Sequence, residues 1–258
     1  MRTYGGVVFG LGMHLRRLGR SAERVGIRLP LSLAQLADEI DLALAAFAAR
    51  ELKLRVVVTR GRGPLSLDPT TAGTATRLLI LSPLAAQPEH LYQRGVAVAL
   101  VPGGALPGSP AAGAKVSNYL ANLLAAHEAR RGGAYEALLV GPEGQLREGA
   151  SSNVFIVQRG RVRTPRPEAG ILAGVTRAAV FEAAQRSGVP LEQDVLFASD
   201  VYGAEECFLT SSLREVVPIV CADGVAIGSG EPGPVTRRLH ACFRELTAEG
   251  HFGATFAD

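Results

Sequence analysis

The chain has 258 residues and a mass of 27.0 kDa, enough for one large domain or two modest ones with a sizeable core. Its net charge of +3 comes from scattered arginines, with no run of like charges and few aromatic residues, which argues against a nucleic-acid surface. No stretch reaches about eighteen uninterrupted apolar residues, and the first ten residues lack the apolar centre of a signal peptide, so no membrane association is expected and the cytoplasm is the expected compartment. Cys207, Cys221 and Cys242 show no paired spacing and the five histidines stand far apart, so neither a disulfide framework nor a metal site is expected.

Along the chain, Leu15, Leu18, Ala22 and Val25 at helical spacing predict an amphipathic helix over 14–26 with an arginine-rich outer side. Ser32 with Gln35 three residues on reads as a capping box opening a second helix. Short aliphatic runs at 54–61, 77–82 and 96–101 read as strands, so residues 1–102 form a small α/β domain. The segment 103–114, rich in Gly, Pro and Ala, reads as a linker, and 115–258 as a larger domain. In that domain helices are expected at 116–131, 175–187 and 233–247, with clustered strands at 136–140, 152–157, 161–165, 206–210 and 216–220. Clustered strands of this kind suit an α+β arrangement around a curved sheet better than a doubly wound parallel one.

Only two of the 27 basic residues are lysines, Lys53 and Lys115. Arginine stays protonated, whereas a desolvated lysine can become a nucleophile or Schiff-base donor. Position alone leaves Lys115 either such a group, at the junction of linker and helix, or a solvated lysine at a helix start. Glu148, in a Gly- and Ser-rich turn before an apolar strand, is either ligand-directed or a solvated turn carboxylate. Gly174, Val175 and Thr176 at a helix start make either a phosphate cradle or an ordinary cap. Thr210, Ser211 and Ser212 end an apolar strand as a hydroxyl cluster or a plain turn. The stretch "GSPAAGAKV" does not make a nucleotide phosphate loop, because Ala114 separates Gly113 from Lys115 and Val116 replaces the required hydroxyl.

An amine, a carboxylate and two phosphate-type sites are the set that pyridoxal phosphate needs. On the ordered motifs "KVSNY", "EGASSNVF", "GILAGVTR" and "TSSLREVVP" the chain resembles the class IV aminotransferases, fold-type IV enzymes that include branched-chain and D-amino-acid aminotransferases and aminodeoxychorismate lyase. The resemblance implies an α+β fold with pyridoxal phosphate in the cleft between the two domains. It implies Lys115 as the Schiff-base lysine that also shuttles the substrate proton, and Glu148 as the partner of the pyridine nitrogen. It further implies Arg17, Val175, Thr176 and Ser212 on the phosphate, with Gly174 and Ser211 beside them and Leu172 beneath the ring.

The implied reaction moves an amino group between a small or branched amino acid and a 2-oxo acid, in a homodimer. Two alternatives stand beside it. One is an aminodeoxychorismate lyase releasing 4-aminobenzoate and pyruvate. The other is a shortened, impaired protein of the same fold, since the strand with which the family usually begins is expected upstream of Met1. Leu65 and Leu67 replace the Arg-x-His with which D-amino-acid enzymes trap a carboxylate, and the loop 61–76 that carries them is expected to pack at a dimer interface.

Overall fold

The structure, a computed structural model, describes residues 1–105, 108–109 and 112–255. The chain divides into two compact units, Met1–Ala85 with the tail from Thr247, and Ala86–Leu246. The first unit contains β1 (Thr3–Tyr4), β2 (Val7–Val8), α1 (Leu11–Arg24), α2 (Leu33–Ala45), β3 (Leu52–Thr59) and β4 (Thr76–Pro83). The expected capping box is present at α2: the Ser32 hydroxyl accepts from Gln35 N, and the Gln35 side chain accepts from Ser32 N. β3 and β4 pair antiparallel, and strand alternation buries Leu52 and Leu54 while Lys53 and Arg55 face out. Those leucines meet Leu15 of α1 and Leu36 and Ile40 of α2 in one apolar core, each contributing roughly 1.5–3 kcal/mol by burial. The tail returns to this unit, with Met13 N donating to Gly253 O at 3.3 Å and Phe252 stacked on Phe9 at 5.1 Å.

The second unit contains α3 (His90–Gln93), β5 (Val96–Pro102), α4 (Leu120–Arg131), β6 (Glu136–Val140), β7 (Leu146–Gly149), β8 (Asn153–Gln158) and β9 (Arg161–Pro165). It continues with α5 (Val175–Ser187), β10 (Leu191–Asp194), α6 (Ala198–Tyr202), β11 (Glu206–Ser211), β12 (Glu215–Ala222), β13 (Val225–Ala226) and α7 (Pro234–Glu249), whose last residues belong to the first unit. Its sheet runs β10-β9-β8-β11-β12-β5-β6-β7, with β13 on β12. The sheet curls on itself: Leu146 N at the start of β7 donates to Leu196 O just after β10, at 2.8 Å. Val154, Ile156, Leu209, Val217 and Leu138 fill the inside of the curl. On the opposite face Phe155 stacks on Phe208 at 4.8 Å and meets Phe181 of α5 edge-on at 6.5 Å. β8 is therefore covered on both faces, which is why it reads as a continuous apolar run.

The mixed helix-and-sheet architecture with a curved second sheet agrees with the sequence. The division differs in two respects, the first being that the tail from Thr247 belongs to the first unit and not to the large domain. The sequence also groups β5 with the small domain, but the strand pairs in parallel with both β12 and β6. Local pattern names a strand and not its distant parallel partner. Four residues of the expected linker, 106, 107, 110 and 111, lie outside the described residues. α4 begins at Leu120 rather than 116, because the polar Ser117–Asn118 pair forms a turn in which Tyr119 N donates to Ser117 O at 2.9 Å. Among the described residues, no helix is long and apolar enough to cross a membrane, and no group of metal-ligating side chains is present.

Candidate active site

Glu148 stands near the end of β7, half-buried, where the chain turns through Gly149–Ser152 into β8. Its Oε2 accepts from Leu172 N at 3.0 Å and from Asn153 Nδ2 at 3.3 Å. Asn153 Nδ2 also donates to Leu172 O at 2.9 Å, so one amide side chain staples the Leu172 loop to the Glu148 turn. A Cβ at Gly174 would collide with Asn153 Oδ1, so the close approach of the two segments requires glycine there.

Gly174 is the N-cap of α5 and no side chain caps it. The first-turn amides of Val175 and Thr176 have no intrahelical acceptor, and the helix dipole adds positive potential at the same point. This is a place for an anion. One turn on, Arg177 is buried; its Nη2 donates to Pro165 O at 3.1 Å and to Gln193 Oε1 at 2.9 Å. Burial pulls its guanidinium below the ordinary arginine range, while the Glu148 carboxylate acts in the opposite direction. The two opposite charges are thus within electrostatic reach of each other.

Lys115 is exposed, with Nζ 4.8 Å from the centre of the Tyr119 ring. The chain is tied to the loops just described by a backbone amide before Lys115 and a side-chain amide after it. Gly113 N donates to Gly170 O at 3.1 Å, and Asn122 Nδ2 of α4 donates to Ala150 O at 2.9 Å. The third loop is the turn between β11 and β12. Ser211 and Ser212 are half-buried there, and the buried Thr210 Oγ1 has no hydrogen-bond partner among the described residues.

Hydrogen bonds therefore join Glu148 and Leu172 directly, with Gly174 packed against Asn153, and tie the Lys115 segment to the same loops. Arg17 belongs to the first unit, where its guanidinium lies 3.2 Å from His14 Nδ1. The Asn153 staple and the Arg177 charge are site features that the sequence does not announce. Asn153 stands inside a quoted motif, but nothing local distinguishes a bridging asparagine from a capping one. The donor set of the second unit suits pyridoxal phosphate: a primary amine, a carboxylate held by two donors, a helix start without a side-chain cap, and a turn that carries hydroxyls.

Comparison with known proteins agrees with this chemistry. The family description "Amino-transferase class IV" matches residues 1–221. The branched-chain-amino-acid aminotransferase of Escherichia coli K12 is 30% identical over 243 residues, covering 93% of this chain and 78% of that protein. The D-alanine aminotransferase of Bacillus licheniformis is 30% identical over 244 residues, covering 95% and 84%. In three dimensions the chain is similar to the T.th. branched-chain amino acid aminotransferase solved with pyridoxamine 5'-phosphate, with a TM-score of 0.88, 27% identity, and 97% and 85% of the two chains covered. With its fold, its lysine-and-carboxylate loops and these relatives taken together, the chain belongs to the class IV aminotransferases, pyridoxal-phosphate enzymes that move amino groups.

Proposed function

We infer that the enzyme moves the amino group of a small or branched aliphatic amino acid to 2-oxoglutarate or pyruvate. The observation that carries this reading is the double attachment of the Lys115 segment, through Gly113 to the Leu172 loop and through Asn122 to the Glu148 turn. Pyridoxal phosphate, when bound, supplies the electron-accepting ring that makes the substrate α-proton removable. The chain supplies the rest. Lys115 holds the cofactor through its amine and moves the proton at the substrate α-carbon. Glu148 keeps a proton on the pyridine nitrogen, and Leu172 packs against the ring. The Val175 and Thr176 segment with Ser212 receives the phosphate, flanked by Gly174 and Ser211, and Arg17 is proposed as a further phosphate ligand.

Apolar Leu65 and Leu67, in place of a carboxylate trap, suit an aliphatic substrate. A homodimer is part of this reading. Leu120, Leu123 and Leu124 form one stripe on α4, exposed by 70%, 61% and 56%, and Leu65 and Leu67 are wholly exposed in the single chain. A second copy would remove this apolar surface from water. The three cysteines form no disulfide among the described residues, which accords with a reducing compartment such as the cytoplasm.

The test is a panel of half-reactions: L- and D-alanine, L-valine, L-leucine and aminodeoxychorismate, each followed by the spectral change of the cofactor and by product. Transfer from the aliphatic amino acids is expected, with Lys115→Ala lowering the rate roughly 10³-fold or more. Release of pyruvate and 4-aminobenzoate without amino transfer would replace the transaminase reading with the lyase.

A further inference from the structure

Arg214 lies in the turn between β11 and β12, and nothing in the reaction described above uses it. Its Nε donates to Ser211 Oγ at 3.0 Å, and its Nη2 donates to Ser151 Oγ at 2.9 Å and to the Ser151 carbonyl at 3.3 Å. Its Nη1 lies 2.7 Å from Glu136 Oε2, in an ion pair whose carboxylate side chain is only 3% exposed. The same carboxylate oxygen accepts from Ser151 Oγ at 3.0 Å, and the Tyr135 ring lies 5.5 Å from the guanidinium carbon. Burial opposes the charge on Arg214, but Glu136 and Tyr135 outweigh it and hold the guanidinium above its ordinary range. The cation is therefore permanent.

One planar group thus joins two turns distant in sequence, Gly149–Ser152 after Glu148 and Ser211–Arg214. A buried ion pair adds little net stability, because desolvation offsets most of the attraction. What it supplies is geometry. The guanidinium fork spans Ser211, Ser151 and Glu136 at once, which the compact ammonium of a lysine cannot do. Its donors are already directed at protein acceptors, so Arg214 is no ready-made anion ligand.

We propose that Arg214 is a positioning residue for the cofactor: clamped to Glu136 and Ser151, it holds the Ser211–Ser212 turn at the spacing that a bound phosphate requires. This rests on the reading of that turn as part of the phosphate site. The experiment titrates the full chain, stripped of cofactor, separately with pyridoxal 5'-phosphate and with pyridoxal, which lacks the phosphate. Arg214→Met/Glu136→Gln removes both charges together, so no buried charge is left unpaired and the fold is kept; Arg214→Lys is the conservative control.

The double variant is expected to lose affinity for pyridoxal 5'-phosphate by roughly tenfold or more and affinity for pyridoxal by less than about threefold, with Arg214→Lys between wild type and the double variant. Equal losses for the two compounds, or none, would overturn the proposal, because a merely structural role does not distinguish them. Ser212→Ala separates the two levels of the argument. A lowered phosphate preference in Ser212→Ala but not in the Arg214 variants defeats the clamp alone, whereas an unchanged preference in Ser212→Ala defeats the phosphate-site reading and the clamp with it.

Discussion

Glu215 opens β12 with φ at 60°, in the left-handed region that is costly for a residue with a side chain. Its buried carboxylate holds it there, 2.9 Å from His240 Nε2 and accepting from Arg244 Nε at 3.1 Å. Burial acts to raise the Glu215 pKa, yet the hydrogen bonds from His240 and Arg244, with their charges, outweigh it and bring the value from 4.5 to about 2. A carboxylate whose folded value is depressed stabilises the protein above its unfolded value, and that stability is lost as pH falls through the folded one. The window therefore runs from pH 4.5 down to about 2. At about 1.4 kcal/mol per pH unit, the charge contributes about 3 kcal/mol at neutral pH. Glu215→Gln should lower the urea unfolding free energy by about that amount at pH 7, and the gap to wild type should close as the pH falls through the window. A gap below about 0.5 kcal/mol at pH 7, or one that stays constant on acidification, would refute the reasoning.

Gly174→Ala places a methyl against Asn153 Oδ1 and disturbs the staple to Leu172; a loss of about 1–3 kcal/mol is expected in chemical denaturation, with weaker cofactor binding by titration. Thr236→Val removes the hydroxyl that donates to the buried Glu206 carboxylate at 2.7 Å, and thermal unfolding should report a loss of about 1–3 kcal/mol. Alkylation followed by mass spectrometry should modify Cys221 first. Cys207 and Cys242 are buried, and burial pushes the Cys207 thiol well above its usual value, so both should react only on unfolding. Leu123→Asp/Leu124→Asp should shift sedimentation toward the monomer if the α4 stripe covers a second copy.

Much of the fold is legible in the sequence because its signals are local. The Ser32–Gln35 box starts α2 where the spacing places it, and α5 begins at Val175 because Gly174 and the apolar period agree on that point. β7 and β10, reading "LREG" and "LEQD", escape notice because four residues with two or three polar ones carry no period. The same holds for the candidate site. Lys115 and Glu148 stand out by residue type and by the order of the motifs around them, which chemistry alone makes meaningful. Asn153, Arg177 and Glu136 do not, because their roles consist of contacts with residues far along the chain: Leu172, Gln193 and Arg214. Sequence alone determined the element types, the capping and the residues able to do amine and carboxylate chemistry, since those depend on neighbours within a few positions. Tertiary structure alone decided that β5 joins the large sheet and that Arg214 ties two turns together, since parallel pairing and buried ion pairs are set by which distant segments meet in space.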